Sequence, residues 1–292
     1  MLVNVFPGQG SQYRGMGEEL FDTVPVFRVL EEELDDIAGF SIREMCLKGA
    51  PEKLQQTEIT QPCLFIVNAL YWEQRKAEGK QPDMLAGHSL GEYNALLAAN
   101  TFDLQTGLYL VKERGRLMSE AKEGGMAAIL GLSVDKIEEV LSAEAYSGLD
   151  IANFNTPSQI VISGPKDVVY SAEKDMTDAG ATLFVPLKVG AAFHSRYMAP
   201  AADQFAEVLA DVHLRSPKLR VYSNVTANPY PANASSSEIA GLLSRQIKSP
   251  VSWANCVQNM AKEGARDFVE VGPGKILAGM IAQIPMNAEV LS

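Results

Sequence analysis

Met84-Leu85-Ala86-Gly87-His88-Ser89-Leu90-Gly91-Glu92 decides the fold of this chain. Met84-Leu85-Ala86 reads as the end of a buried strand and residues 92–99 read as a helix, which puts Ser89 on a strand-to-helix turn. Gly87-His88-Ser89-Leu90-Gly91 then has both the pattern and the context of a nucleophile elbow. Such a turn needs glycine on either side of the serine because its backbone is sharply bent and closely packed. It leaves the hydroxyl at the positive end of a helix, where a weak nucleophile can meet an acyl carbonyl.

Outward from the elbow, residues 2–6 form a short apolar strand that runs into Pro7-Gly8-Gln9-Gly10-Ser11-Gln12. That loop invites a dinucleotide-binding reading, which fails because the third glycine of the fingerprint would fall at Tyr13. A helix over 104–121 follows the elbow helix, and the alternation of strand and helix signals implies a parallel sheet covered by helices. The rhythm changes after Gly124-Gly125. Strands at 126–132, 150–153, 159–163 and 182–189, with helices at 134–143 and 168–178, give the order βαββαβ of a ferredoxin-like unit. The α/β rhythm resumes with a strand at 219–224, helices at 236–247 and 250–263, a strand at 267–271 and a helix at 275–284. The expected fold class is therefore α/β, with a discontinuous catalytic domain over 1–124 and 191–292 and an inserted ferredoxin-like domain over 125–190. Gly272-Pro273-Gly274-Lys275 lacks the glycine spacing and the following serine or threonine of a phosphate loop, so it reads as a strand-to-helix turn.

Composition limits the function. With 292 residues, 47% of them apolar, the chain can build a well-packed core, and no apolar run approaches the roughly 20 residues that span a bilayer. The first residues lack the basic region and cleavage pattern of a signal peptide, so a cytoplasmic protein without a membrane partner is expected. Cys46, Cys63 and Cys256 lack the spacing of a zinc site or a disulfide framework and read as reduced packing residues, with no metal. A net charge of −11 argues against nucleic acid. Arg196 with Lys188 is a possible docking point for an acidic protein, and solvated surface charge is the plainer reading of the two.

A serine nucleophile needs a base, for which histidine is suited at neutral pH. His88 adjoins Ser89 on the strand, so alternation points it to the opposite face. His213 sits in a polar connection. His194, in Ala191-Ala192-Phe193-His194-Ser195, remains as the candidate base, with a satisfied buried histidine as the alternative. On the helix over 104–121, Lys112, Glu113, Arg116 and Glu120 share a solvated face. Arg114 shares the other side with Leu110, Val111, Leu117 and Met118, so its guanidinium needs an interior partner. That partner is either a structural carboxylate or the free carboxylate of a substrate, gripped by two parallel hydrogen bonds. The amides of Leu90 and Gln9 are natural donors to an oxyanion, although turn formation alone also explains Gln9.

At this point the chain resembles the malonyl-CoA:acyl carrier protein transacylases over nearly its whole length. The resemblance rests on residues 6–12, Thr60-Gln61-Pro62, Gly87-His88-Ser89-Leu90-Gly91-Glu92-Tyr93, Arg114-Gly115, Phe193-His194-Ser195 and Glu270-Val271-Gly272-Pro273-Gly274-Lys275. It implies an α/β-hydrolase-like large domain with a ferredoxin-like small one. It casts Ser89 as the acyl-carrying nucleophile, His194 as base and then acid, Arg114 as the clamp for the malonyl carboxylate, and the Gln9 and Leu90 amides as the oxyanion hole. No aspartate stands in the family's triad position, and the resemblance assigns the orientation of His194 to a backbone carbonyl, that of Gln246. Gln61 is placed near the clamp, Phe193 in the acyl pocket, and Asn155 and Asn224 near the cleft. The implied reaction is ping-pong transfer of malonyl from malonyl-CoA to the phosphopantetheine thiol of a holo acyl carrier protein, with no bound cofactor. Leu90 and Phe193 resemble malonyl-selecting relatives, whereas Ala191 departs from the histidine that many malonyl-selecting polyketide acyltransferases carry. Residues 153–159 and 190–195 look most like discrete acyltransferases that serve the carrier domains of bacterial polyketide synthases in trans, with a fatty-acid role as the alternative. A thioester hydrolase and a non-catalytic docking module are readings from other classes; water as acceptor distinguishes the first, and indifference to loss of Ser89 the second.

Overall fold

β1 (Leu2–Phe6) and β2 (Met84–Gly87) are buried along almost their whole length, as strands covered on both faces must be. They pair in parallel with Val3 opposite Met84 and Phe6 opposite Gly87. The computed structural model describes residues 1–286; residues 287–292, with which the expected catalytic domain ends, lie outside the described ones. β7 (Arg220–Tyr222) and β8 (Asp267–Glu270) complete an all-parallel sheet in the order β7-β2-β1-β8.

A second sheet holds β3 (Gly124–Leu130), β4 (Asp150–Thr156), β5 (Gln159–Pro165) and β6 (Leu183–Pro186) in the order β4-β5-β3-β6, with every pair antiparallel. This is the strand order of the ferredoxin-like unit. Its period-2 alternation has two destinations. Ala127, Ile129, Ile160 and Ile162 pack on the unit's own helices with Val169 and Met176, while Met126, Ala128 and Val161 join the main core.

Several expected boundaries move, for local reasons. Gly124 and Gly125 do not precede β3 but open it, and a Cβ at Gly124 would come within 2.1 Å of the Ala192 nitrogen, so the glycine admits the loop that carries His194. The expected helix at 250–263 starts only at Trp253, because Val251 extends the small sheet: its N–H donates to Ala152 O at 2.8 Å and its O accepts from Phe154 N at 3.0 Å. β6 ends at Pro186, which frees Leu187 and Val189 to line a cavity. The helix expected over 168–178 is two, Lys166–Ser171 and Glu173–Asp178. Residues 13–82, for which the pattern offered little, are largely helical, ending in the long helix Thr57–Ala77 that carries Gln61 and Pro62 inside it.

Cys46, Cys63 and Cys256 are buried and outside any disulfide. No helix among the described residues is long and apolar enough to cross a membrane. The Arg196–Lys188 cluster does not exist as a pair of free cations: Arg196 Nε donates to Asp150 Oδ1 at 2.9 Å, and that carboxylate raises the already high affinity of the guanidinium for its proton.

Candidate active site

The elbow is built by close approach. A Cβ at Gly87 would lie 1.9 Å from the Gly91 carbonyl carbon, and one at Gly91 would lie 2.0 Å from Phe6 O. Only glycine fits at either position. Between them Ser89 adopts the left-handed conformation, φ 51°, before the helix Gly91–Ala98 begins. A non-glycine residue held there costs about 1–3 kcal/mol and persists only where its surroundings impose it. Asn224 imposes it here, accepting from Ser89 N at 2.7 Å and donating to Gly87 O at 2.7 Å.

His194, also left-handed at φ 56°, brings Nε2 to 2.8 Å from Ser89 Oγ. Its Nδ1 lies 2.9 Å from Gln246 O and 3.2 Å from Ser249 O. Carbonyl oxygens only accept, so Nδ1 carries the ring proton and Nε2 is free to accept from the serine hydroxyl. Burial, reinforced by the positive charge of Arg114, pushes the histidine down to about 3, so the ring is neutral at pH 7 and competent to receive a proton.

Arg114, on the helix Leu104–Glu120, is among the largest fully buried side chains. Nη1 donates to Gln61 Oε1 at 2.7 Å, while Nη2 donates to Ser89 Oγ at 3.0 Å and to Gln246 Oε1 at 3.0 Å. Its Nε is buried without a partner among the described residues. The guanidinium carbon lies 5.5 Å from the centre of the Tyr93 ring. The direct structural salt bridge that the sequence left open is absent: among the described residues every hydrogen-bond partner of Arg114 is an amide oxygen or a hydroxyl.

These groups border a cavity of about 110 Å³, lined by Gln9, Gln61, Ser89, Leu90, Arg114, Phe193 and His194 together with apolar Met118, Met126, Leu187 and Val189. Gly8 packs so tightly on the elbow that a Cβ there would meet His88 O at 2.4 Å, which is how the first loop brings Gln9 beside Leu90. Asn68 pins that loop by donating to Pro7 O at 3.0 Å.

His88 does not serve the serine: Nε2 lies 2.9 Å from Asn155 Oδ1, and the ring packs 5.8 Å from that of Trp253, which shares a core with Met84 and Ala86 on the side of the sheet that alternation gives His88. Asn155 thus stands behind His88 rather than at the nucleophile. His213 lies in the turn after the helix Ala199–Ala210, away from the cavity.

Sequence reasoning missed Glu92. The residue is fully buried in the first turn of the elbow helix, where Oε2 accepts from Asn224 N at 3.0 Å and Gln246 Nε2 at 2.8 Å, and Oε1 accepts from Tyr230 Oη at 2.5 Å. A signal was present: Glu92 is the one carboxylate in an otherwise uncharged helix. The Ser249 carbonyl, second partner of His194 Nδ1, was also unforeseen.

Residues 3–288 match the acyl transferase domain family. The chain is 44% identical over 295 residues to the polyketide biosynthesis malonyl CoA-acyl carrier protein transacylase PksC of Bacillus subtilis, covering 100% of this chain and 99% of that one. Among solved structures, the malonyl CoA-acyl carrier protein transacylase of Burkholderia pseudomallei superposes with a TM-score of 0.92 at 41% identity, covering 99% of each chain. A malonyl-transacylase solved in complex with its holo type II polyketide synthase acyl-carrier protein superposes with a TM-score of 0.91 at 35% identity, covering 97% of this chain and 92% of that one.

Proposed function

The chain belongs to the acyl transferase domain family, and from that premise we propose that it moves the malonyl group of malonyl-CoA onto the phosphopantetheine thiol of a holo acyl carrier protein, serving a polyketide synthase in trans. The observation that carries this reading is the meeting of three side chains at one oxygen: Ser89 Oγ lies 2.8 Å from His194 Nε2 and 3.0 Å from Arg114 Nη2.

In the proposed reaction the Ser89 hydroxyl attacks the thioester carbonyl as its proton passes to His194 Nε2. The Gln246 and Ser249 carbonyls hold the resulting imidazolium through Nδ1–H. The Gln9 and Leu90 amides receive the oxyanion, a contribution of about 3 kcal/mol per donor in comparable sites. As the carbon–sulfur bond breaks, His194 returns its proton to the CoA thiolate, leaving malonyl on Ser89. The carrier thiol then reverses the sequence: it loses its proton to His194, attacks the ester carbonyl and releases the serine, which regains the proton. The acyl carboxylate takes the Arg114 guanidinium in place of the hydroxyl and amide that hold it in the free enzyme. A cavity of about 110 Å³, closed by Met118, Met126, Leu187 and Val189, suits a short acyl group. For the domains we propose residues 125–190 as a small domain whose Met126 and Leu187 close the acyl cavity over the elbow.

The test is intact mass after brief mixing with malonyl-CoA or acetyl-CoA, followed by addition of holo carrier protein. A malonyl adduct on Ser89 that moves to the carrier is expected; an adduct lost to water at the same rate with and without carrier would make the protein a hydrolase. Comparing carriers from polyketide and fatty-acid systems separates the two pathway roles.

A further inference from the structure

Two opposite charges are buried in this site without touching. Arg114 is 1% exposed and Glu92 0% exposed, and an isolated charge at such depth is strongly disfavoured. Between them stands the Gln246 side chain, whose Oε1 accepts from Arg114 Nη2 at 3.0 Å and whose Nε2 donates to Glu92 Oε2 at 2.8 Å. The amide is therefore oriented by both charges, with its oxygen toward the cation and its nitrogen toward the anion.

We propose that Glu92 is the resident counter-charge of Arg114, held one amide away by Gln246, and that this spacing keeps the guanidinium available while moderating its preference for an anionic acyl group.

The proposal rests on the reading of Arg114 as the carboxylate clamp. Glu92 accepts from Asn224 N, Gln246 Nε2 and Tyr230 Oη, and both groups at Oε2 can only donate, which suits the ionised carboxylate. Burial raises the affinity of Glu92 for a proton, and the three donors and Arg114 oppose that rise. A carboxylate bonded directly to the guanidinium would occupy the donors a substrate needs. Through Gln246 the charge is balanced and the donors rest on Ser89 Oγ and two amide oxygens, which a substrate carboxylate can displace. Glu92 is a positioning residue: the same carboxylate holds Gln246, whose carbonyl orients His194, and Asn224, which holds the Ser89 amide.

Glu92→Gln separates charge from scaffold, because its amide oxygen can accept from Asn224 N and Gln246 Nε2 while its NH2 donates to Tyr230 Oη. With the counter-charge gone, the ratio of kcat/KM for Ser89 acylation by malonyl-CoA over acetyl-CoA is expected to rise several-fold through a lower KM for malonyl-CoA. An equal loss for both donors, or a falling ratio, overturns the proposal, whereas a wild-type enzyme indifferent to malonyl would overturn the clamp reading instead. Thermal unfolding gives a readout independent of activity. The Glu92→Gln/Arg114→Met double variant is expected to lose less stability than the sum of the two single variants, and to fold even if Glu92→Gln alone does not. Additive losses, or a double variant that also fails to fold, overturn the pairing.

Discussion

The helix Leu104–Glu120 carries two arginines two positions apart with opposite circumstances. Arg116 faces solvent between Glu113 and Glu120, at 2.9 and 2.7 Å, and is fully provided with carboxylates. Arg114 faces the interior and touches none among the described residues. The exposed arginine has its charge met in a high-dielectric setting where the pairs are each worth under about 1 kcal/mol. The buried one is held by amides and a hydroxyl and keeps its Nε without a partner among those residues. A salt bridge on the outer face finishes a surface, whereas on the inner face the cation rests on neutral partners alone, as the proposed clamp requires.

That contrast breaks outright if the inner arginine does not serve a nucleophile, so the largest effect is expected from Ser89→Ala, in which the malonyl adduct disappears from the intact-mass spectrum. An adduct that survived the change would place the chemistry elsewhere. Next, Arg114→Ala is expected to lower kcat/KM for malonyl-CoA by about 10- to 100-fold, the equivalent of an Arg–carboxylate contact of roughly 1.5–3 kcal/mol, and to affect acetyl-CoA far less. Equal losses for the two donors would reduce the inner arginine to scaffold.

A pH series sharpens the comparison through His194, which the buried cation helps to hold down to about 3. Unfolded histidine titrates near 6.5, so between about 6.5 and 3 the unfolded chain binds a proton that the native site refuses. The stability contribution of the neutral ring is present above pH 6.5 and is lost as pH falls, with a slope of up to about 1.4 kcal/mol per pH unit. Denaturant titrations at pH 7 and 5 measure it. The rate of Ser89 acylation should show no acid limb near pH 6.5, where an ordinary histidine base would give one. The smallest effect belongs to the outer face: Arg116→Ala is expected to stay within about 0.5 kcal/mol of wild-type stability and to leave acylation by both donors unchanged. A malonyl-specific loss there would dissolve the distinction between the two faces.

Helical spacing was enough to sort these arginines, since residues 110, 111, 114, 117 and 118 fall on one side of a 3.6-residue repeat and all are buried. Elimination among three histidines likewise led to His194, whose Nε2 lies 2.8 Å from Ser89 Oγ. Alternation also carried one residue past β2: the His88 ring packs on Trp253, in the core shared by Met84 and Ala86, and only its Asn155 partner was beyond the reach of periodicity. The small unit was legible because its strands alternate, yet the start of the helix after Pro250 was misplaced because Val251 is claimed by a neighbouring strand.

What the sequence by itself determined was local and periodic: the elbow, whose glycines meet a steric demand within a few residues, the inward face of one helix, and the alternating strands of two sheets. Only the tertiary structure decided which donor meets which acceptor. Gln246 is 132 positions from Arg114 and 154 from Glu92, and at such separations pairing is fixed by how the helix Ser236–Lys248 packs, not by any spacing in the chain. A buried charge must find its balance wherever the fold brings polar atoms together. For that reason the inward turn of Arg114 could be read from the sequence and the buried Glu92 reached through Gln246 could not.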